Sequence, residues 1–248
     1  MNRQRYDLST AKALVFVIFS SGLLISCNSD LLKQGEDMLN QYRPLTEDEI
    51  TAGLKEALKV GTERAVDQVG HQGGYYQDRA IHIPLPAKLQ PVQDALVKIG
   101  QGHYLAELEQ GMNRAAEVAA PKARALFVDA IRQMSWQDVK QIYDGPEDAA
   151  TRYFQKTMTP ELKRTMRPVI DDSLAQVGVV QTYDRVMDRY RAIPFTPELN
   201  FDLNDYVIQH GIDGMFYYLA KEEAAIRQDP AKRTTEILQR VFGPADRG

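Results

Sequence analysis

The chain has 248 residues, of which 44% are hydrophobic and 26% are charged, with 16 Gly, 12 Pro and a single Cys. These values are those of an ordinary globular protein, and they exclude a collagen, a disordered tail and a disulfide-rich miniprotein. The formal net charge of −4 argues against a protein that binds nucleic acid, because no segment is basic enough to neutralise a phosphate backbone.

The first residues of the chain have the order of an export signal. Three basic residues, the last of them Lys12, precede an apolar run at Ala13–Ile25, and the small Ser26 stands before Cys27. The run is shorter than the roughly 20 residues that a transmembrane helix needs. We therefore expect residues 1–26 to be a signal peptide and not a permanent membrane span.

The sequence Leu24-Ile25-Ser26-Cys27 resembles the lipobox of bacterial lipoproteins. The resemblance implies that the Cys27 thiol takes up a diacylglyceryl group, that the chain is cut before Cys27, and that the new amino group is acylated, for example with palmitate. Such chains would anchor the protein, since each buried CH₂ contributes about 0.8 kcal/mol. A conventional secretory signal with an incidental Cys27 is the alternative. Asn28 in place of an Asp favours, by analogy with lipoprotein sorting, the periplasmic face of the outer membrane.

Cleavage would change the charge of the protein. The removed segment 1–26 carries three basic and one acidic residue, so the mature chain would have a net charge of −6. Anionic lipid repels an acidic body, and we therefore expect attachment through the acyl chains alone. Residues 27–45 are interpreted as the lipidated cysteine and a tether. Apolar residues recur with helical spacing from Leu31 to Tyr42, and Pro44 ends the pattern.

From Thr46 onward the pattern predicts an all-α fold, a single bundle of nine or ten helices over residues 46–243 with a tail at 244–248. Thr46 and Glu49 form a capping box, and Ser135 with Asp138 three residues later marks another helix start. Other helix starts and stops coincide with prolines, capping residues and glycines. No repeat of fixed period is present, which disfavours a solenoid. The predicted helices lie near 46–69, 87–99, 103–120, 122–134, 136–143, 147–157, 160–176, 179–191, 203–228 and 231–242.

Residues 71–86 form the main irregular stretch of the sequence. A pair of glycines predicts a turn, and the prolines prevent a helix until Pro86. A loop of this length is either functional or packed as a compact surface loop. His82 is a candidate ligand or general base. The alternation Ile81-His82-Ile83 instead favours a histidine that points outward between two buried isoleucines.

The segment 203–227 is apolar on both faces, which is typical of a buried helix, so we predict that it is the central helix of the bundle. Gly211 and Gly214 would let a neighbouring backbone approach it closely. His210 and Asp213 would then need partners or would have to be neutral, because an unpaired buried charge is costly.

Five polar residues are candidates for a site inside the bundle: Asp213, Arg114, Glu117, Arg152 and Tyr153. As an enzyme, the protein would use them as a buried cluster. The alternative is that they form hydrogen bonds and ion pairs that fix the packing of helices. Arg114 and Glu117 can pair with each other because they are three residues apart, and both arginines are possible partners for the polar residues of the central helix. We favour the packing role, because structural ion pairs also perturb titration and mimic sites.

Common catalytic and cofactor motifs are absent. No Gly-x-Ser-x-Gly, Walker loop or dinucleotide fingerprint occurs, and we predict no cofactor. We also predict no metal site, because no Glu-x-x-His motif occurs and the four histidines do not have ligand spacing. The histidines are His71, His82, His103 and His210.

Aromatic residues concentrate in the last third of the chain. Gathered in a pocket they would suit an apolar or sugar ligand, whereas helical spacing alone accounts for most of them as core. They are Tyr183, Tyr190, Phe195, Phe201, Tyr206, Phe216, Tyr217 and Tyr218.

Several short segments carry a family resemblance. They are GLKEAL (53–58), IPLP (83–86), MNRAAE (112–117), DAATRYF (148–154), DGMF (213–216), EEAAIRQDP (222–230) and VFG (241–243). Together the chain resembles the bacterial lipoprotein family catalogued as domain of unknown function number 4197. The resemblance implies an exported, mostly helical domain and no particular activity. We therefore expect a membrane-tethered binding or interaction domain facing the periplasm, whose partner is an envelope protein or an apolar small molecule, with a periplasmic enzyme as the alternative.

Overall fold

The computed structural model describes residues 43–199 and 201–243. The predicted signal peptide, the lipidation site Cys27, all but the last residues of the tether and the tail at 244–248 lie outside the described residues. None of the helices in the described ranges is both long and apolar enough to cross a membrane.

The described residues form α-helices and no strand, which confirms the all-α prediction. Two single turns of 3₁₀ helix, Ala87–Leu89 and Pro230–Lys232, precede α2 and α8. The eight α-helices of the described ranges are α1 Glu47–Gly70, α2 Gln90–Lys98, α3 His103–Gln133, α4 Trp136–Tyr143, α5 Ala149–Gln176, α6 Val179–Arg191, α7 Leu203–Gln228 and α8 Glu236–Phe242.

Capping residues set the starts of α1 and α4 as the sequence predicts. The Glu49 amide donates to Thr46 Oγ1, and the Glu49 carboxylate accepts the Thr46 amide at 3.0 Å. Ser135 and Asp138 make the same reciprocal pair at the start of α4. Each box satisfies two amides, one at the N-cap and one in the first turn, that would otherwise lack a partner within the helix.

The predicted helix breaks at Pro121 and Pro160 are wrong, because α3 and α5 run through both prolines. A proline removes one backbone hydrogen bond and costs about 3 kcal/mol in a helix interior. Both rings lie on the solvent side, while the buried stripes of α3 and α5 continue on either side of them. The packing of those stripes offsets the local cost. Because each of these helices replaces two predicted ones, the described part has eight helices and not nine or ten. The last helix also starts later than predicted, at Glu236.

Helix α7 lies at the centre of the bundle and packs against α1, α3, α5 and α8. The Phe216 ring meets the Phe127 ring of α3 edge-on, with 5.7 Å between centroids, and Phe127 in turn meets Phe154 of α5. Burial on both faces of α7 is incomplete, since Asp213 and Tyr217 are exposed. The central position is confirmed, but one edge of the helix faces solvent.

Candidate functional site

The loop 71–86 is bonded to one stripe of α3. Glu109, Asn113 and Glu117 are spaced by four residues, so they point in the same direction from the helix. The buried Asn113 accepts the Ile83 amide at 2.9 Å and donates to the Ile83 carbonyl at 2.8 Å. This amide side chain satisfies both backbone groups of one loop residue, as a neighbouring strand would.

Glu117 fixes the start of this loop. Its Oε1 accepts the amides of Tyr75 and Tyr76, each at 3.2 Å, and its Oε2 accepts Nη1 of Arg114 at 3.1 Å. The Glu117 side chain is only 2% exposed, and three donors offset the cost of burying its charge. The predicted pairing of Arg114 with Glu117 is confirmed.

His82 is also part of the loop–α3 contact. Its Nδ1 lies 2.9 Å from the Tyr76 carbonyl oxygen, and its Nε2 lies 2.6 Å from Glu109 Oε1. Ile81 and Ile83 on either side are buried, as the alternation predicts. Both ring nitrogens already face oxygen atoms, so the geometry offers no free nitrogen for a metal or for proton abstraction.

Helix α7 contacts the same loop through Tyr75. The Tyr75 hydroxyl donates to the Gly211 carbonyl at 2.6 Å. A Cβ on Gly214 would lie 2.6 Å from Cε1 of the Tyr75 ring, so only glycine fits there. The expected backbone approach at Gly214 is therefore corrected: an aromatic ring occupies this space. Burial raises the pKa of Tyr75, and the charges of Asp213 and Glu117 raise it further.

Two more tyrosines of α7 bond to the loop. The Tyr206 hydroxyl donates to the Pro84 carbonyl at 3.1 Å, and the Tyr218 hydroxyl donates to the Asp78 carboxylate. The hydrogen bond to Asp78, together with burial, raises the pKa of Tyr218 to about 12. The loop is thus the compact packed loop that was one of the two expectations, and α3 and α7 fix it along most of its length.

A cleft of about 460 Å³ lies between the start of this loop, α3, the α5–α6 turn and α6. We call it the polar cleft. A Cβ on Gly111 would lie 2.5 Å from Val179 Cγ2, so this glycine lets α6 approach α3 along one side of the cleft. The residues that line it are Gln72, Gly73, Tyr76, Gln77, Glu107, Gln110, Gly111, Arg114, Glu117, Val177 and Thr182.

The charged groups of the polar cleft lie on one face of α3. Glu107 and Arg114 are seven residues apart, which is about 10 Å along the helix axis. Both side chains are near half exposed, at 51% and 43%. Glu107 is 4.0 Å from Arg185, and Arg114 uses one nitrogen for Glu117. Each side chain therefore keeps hydrogen-bonding groups that face the cleft and can bind a ligand.

The five candidate residues do not form one buried cluster. Arg152 is exposed and donates to Asp148 at 2.8 Å, and Asp213 is exposed. Tyr153 is half-buried, and burial raises its pKa. Glu117 alone among the five is buried, and it contacts Arg114. The structure thus joins Arg114 and Glu117, and the other three candidates do not join this pair.

The expected arginine partners of the central helix are also corrected. Asp213 accepts a hydrogen bond from Gln209 at 2.8 Å. His210 stacks on Tyr206, with 4.2 Å between ring centroids. Burial lowers the pKa of His210, although the nearby Asp213 charge acts in the opposite direction. Neither residue needs an arginine, because this edge of α7 reaches solvent.

A buried carboxylate that the sequence analysis missed lies at the start of α5. Glu223 accepts the amides of Ala150 and Thr151 at 2.9 and 3.0 Å, and Arg227 donates to it at 3.2 Å. It thereby caps α5 from another helix, while Asp148 at the N-cap position bonds to Arg152. Burial raises the pKa of Glu223, and its hydrogen bonds moderate the rise. The i,i+4 spacing of Glu223 and Arg227 was the sequence feature from which their ion pair could have been predicted.

The aromatic residues of the last third do not line a common pocket. Tyr190 and Phe216 are buried in the core, whereas Phe195 is fully exposed and Tyr217 is 39% exposed. Within residues 43–199 and 201–243, no group of three His, Cys, Asp or Glu side chains could hold a metal ion.

A family model described as "Protein of unknown function (DUF4197)" matches residues 44–243. No curated protein and no solved structure matches the chain. The matched range is the whole described helical domain.

Proposed function

The chain belongs to the DUF4197 family of proteins of unknown function, and we propose that it is a lipid-anchored envelope protein whose helical domain binds a small polar ligand in the polar cleft. In this proposal Cys27 carries the acyl chains and the domain faces the periplasm.

The polar cleft is the observation that carries the proposal. Its volume of about 460 Å³ is in the range of small-molecule sites. Its lining offers both donors and acceptors, including the amides of Gln72, Gln77 and Gln110. Such a lining favours a polar ligand over the apolar one that the aromatic residues suggested.

The wall of the cleft supports binding because it is fixed before a ligand arrives. Glu117 bonds the amides of Tyr75 and Tyr76, and Tyr75 is bonded to α7. A wall fixed in this way loses little conformational entropy when a ligand binds, so more of the interaction energy becomes affinity.

The enzyme alternative has less support. Glu117 already accepts three hydrogen bonds, and both ring nitrogens of His82 face oxygen atoms. A general base must lie within reach of the substrate. Glu117 and His82 are instead occupied in fixing the loop, and the exposed Asp213 does not line the cleft.

Ligand binding is tested by native mass spectrometry of the membrane-extracted protein, followed by thermal-shift screening of sugars, amino acids and peptides. Gln110→Ala removes an exposed amide of the cleft, and we expect it to weaken binding without changing the fold. Arg114→Ala is expected to weaken binding more. Arg152→Ala is the matched control, because Arg152 also pairs within its helix but lies outside the cleft. A ligand whose affinity is unchanged in both cleft variants would contradict the proposal.

The anchor is tested separately. We expect Cys27→Ser to abolish the incorporation of labelled palmitate and to release the protein from the membrane fraction. Asn28→Asp is the control for sorting, since it keeps the acylation site and should change only which membrane carries the protein. Unchanged processing and membrane attachment of Cys27→Ser would show that the lipoprotein assignment is wrong.

A further inference from the structure

We infer that the ligand of the polar cleft is a short peptide with free termini, about three residues long. This inference rests on the proposed function of the cleft and names its ligand class. Arg114 would pair with the peptide carboxylate, and Glu107 would pair with the amino group.

The first argument is the balance of charge. The cleft is lined by two carboxylates, Glu107 and Glu117, and by the guanidinium of Arg114, while Arg185 lies beside Glu107. These four charges cancel. A strongly anionic or cationic ligand therefore gains little from the cleft as a whole, whereas a zwitterion can pair with both signs at once.

The second argument is the spacing of two charged residues of the cleft whose side chains are near half exposed. The backbone positions of Glu107 and Arg114 lie on the same face of α3, two turns and about 10 Å apart along the helix axis. An extended chain advances about 3.3–3.6 Å per residue, so three residues span this distance. A single amino acid is too short to reach both groups without leaving one of them unpaired.

The third argument is the chemistry between the two charges. Gln110 lies on α3 between Glu107 and Arg114, and Gln72 and Gln77 line the cleft from the loop. Primary amides donate and accept, which matches the alternating N–H and C=O groups of a peptide backbone. Tyr76, which is 40% exposed, offers an apolar ring for a peptide side chain.

The guanidinium of Arg114 is well placed for a carboxylate. It has five N–H donors, and the one described bond, to Glu117, uses one of them. The Glu117 contact orients the guanidinium plane, which leaves a second edge for bidentate pairing. Glu117 is thus a positioning residue for Arg114.

The test is isothermal titration calorimetry of the acylated, detergent-extracted protein with trialanine as the probe. We expect trialanine to bind and N-acetyl-trialanine and trialanine amide each to bind about tenfold more weakly, because each lacks one charge-assisted contact. Alanine and dialanine should bind more weakly than trialanine.

Two variants assign each terminus to its partner. In Glu107→Gln the acetylated and free peptides should bind alike, and in Arg114→Gln the amidated and free peptides should bind alike. Arg152→Gln should keep both differences, since it lies outside the cleft. Circular dichroism checks that each variant keeps its helical content.

The outcomes separate this inference from the proposed function. If trialanine fails to bind but a sugar binds in a way that depends on Gln110, the peptide inference is overturned and the binding function stands. If trialanine and its capped forms bind equally, recognition of the termini is overturned. If no peptide, sugar or amino acid binds, both the inference and the proposed function fail.

Discussion

The Tyr75 hydroxyl donates a 2.6 Å hydrogen bond to the carbonyl of Gly211, a residue 136 positions later in the chain. Through this bond the loop 71–86 is joined to the central helix α7. The same tyrosine donates its backbone amide to Glu117 of α3. One residue therefore connects the loop to both helices, and the position of the cleft wall depends on it.

We expect Tyr75→Phe to lower the free energy of unfolding by about 1–2 kcal/mol. The ring still fills its buried space, but the hydrogen bond from the Tyr75 hydroxyl to the Gly211 carbonyl is lost, and a single hydrogen bond contributes about this much. Urea denaturation of the variant and the natural protein measures the difference. A change within error would mean that the carbonyl finds another donor.

Replacing each of the two glycines of α7 by alanine should have opposite effects on stability. A Cβ on Gly214 would lie 2.6 Å from the Tyr75 ring, so Gly214→Ala should destabilise the protein by about 1–3 kcal/mol. A Cβ on Gly211 would meet its nearest neighbour, Ala116 Cβ, at an ordinary 3.8 Å. Gly211→Ala should therefore stabilise the helix by up to about 1 kcal/mol. Equal effects in thermal unfolding would contradict this account of the contact.

The sequence predicted helices well where the signal is local. The capping boxes at Thr46 and Ser135 fix helix starts through side chains three residues away, so both could be recognised without the fold. Pro121 and Pro160 misled the prediction, because local propensity favours a break there and the packing of distant helices overrides it.

The same difference between local and long-range contacts decides which contacts of the candidate site could be predicted from the sequence. The Arg114–Glu117 pair follows from i,i+3 spacing within one helix. The contacts of Tyr75 with Gly211 and of Glu223 with the start of α5 join residues that are far apart in sequence. They depend on which helices become neighbours, and no periodicity in the sequence encodes that choice.

Replacing either of two buried threonines by valine should also have opposite effects on stability. Thr62 Oγ1 in α1 has no hydrogen-bond partner among the described residues, so its burial carries a desolvation cost. We expect Thr62→Val to stabilise the protein by about 1 kcal/mol. Thr151 Oγ1 donates to Glu223 at 3.0 Å, and Thr151→Val should destabilise it instead. Chemical denaturation of both variants measures the pair, and a loss of stability in Thr62→Val would indicate an unseen partner for its hydroxyl.

We expect the stability of the protein to depend on pH through the protonation of His210. Burial lowers its pKa below the ordinary value of 6.5, so the folded state disfavours the charged ring. The contribution of the neutral His210 ring to stability is therefore fully present above about pH 6.5 and is lost as the pH falls through the lowered pKa. The free energy of unfolding of the natural protein relative to His210→Gln, measured with urea, should therefore decrease as the pH is lowered from about 6.5 through that pKa.

A second measurement checks the cause of this shift. The Asp213 charge raises the pKa of His210 against the effect of burial. We expect Asp213→Asn to lower the pKa of His210 further, as followed by the NMR signals of its ring. An increase would mean that Asp213 does not act on His210 through its charge.

We expect the Glu117 carboxylate to be what fixes the loop at the wall of the cleft. In Glu117→Ala the amides of Tyr75 and Tyr76 lose their acceptor and Arg114 loses its partner, so hydrogen exchange at both amides should become faster. Glu117→Gln keeps a carbonyl oxygen for the two amides but offers Arg114 no charge, so the amides should stay protected while binding in the cleft weakens. Asn113→Ala is the control, because it removes the partner of Ile83 and should affect exchange there first. Unchanged protection of Tyr75 and Tyr76 in Glu117→Ala would show that the carboxylate is not what positions the wall.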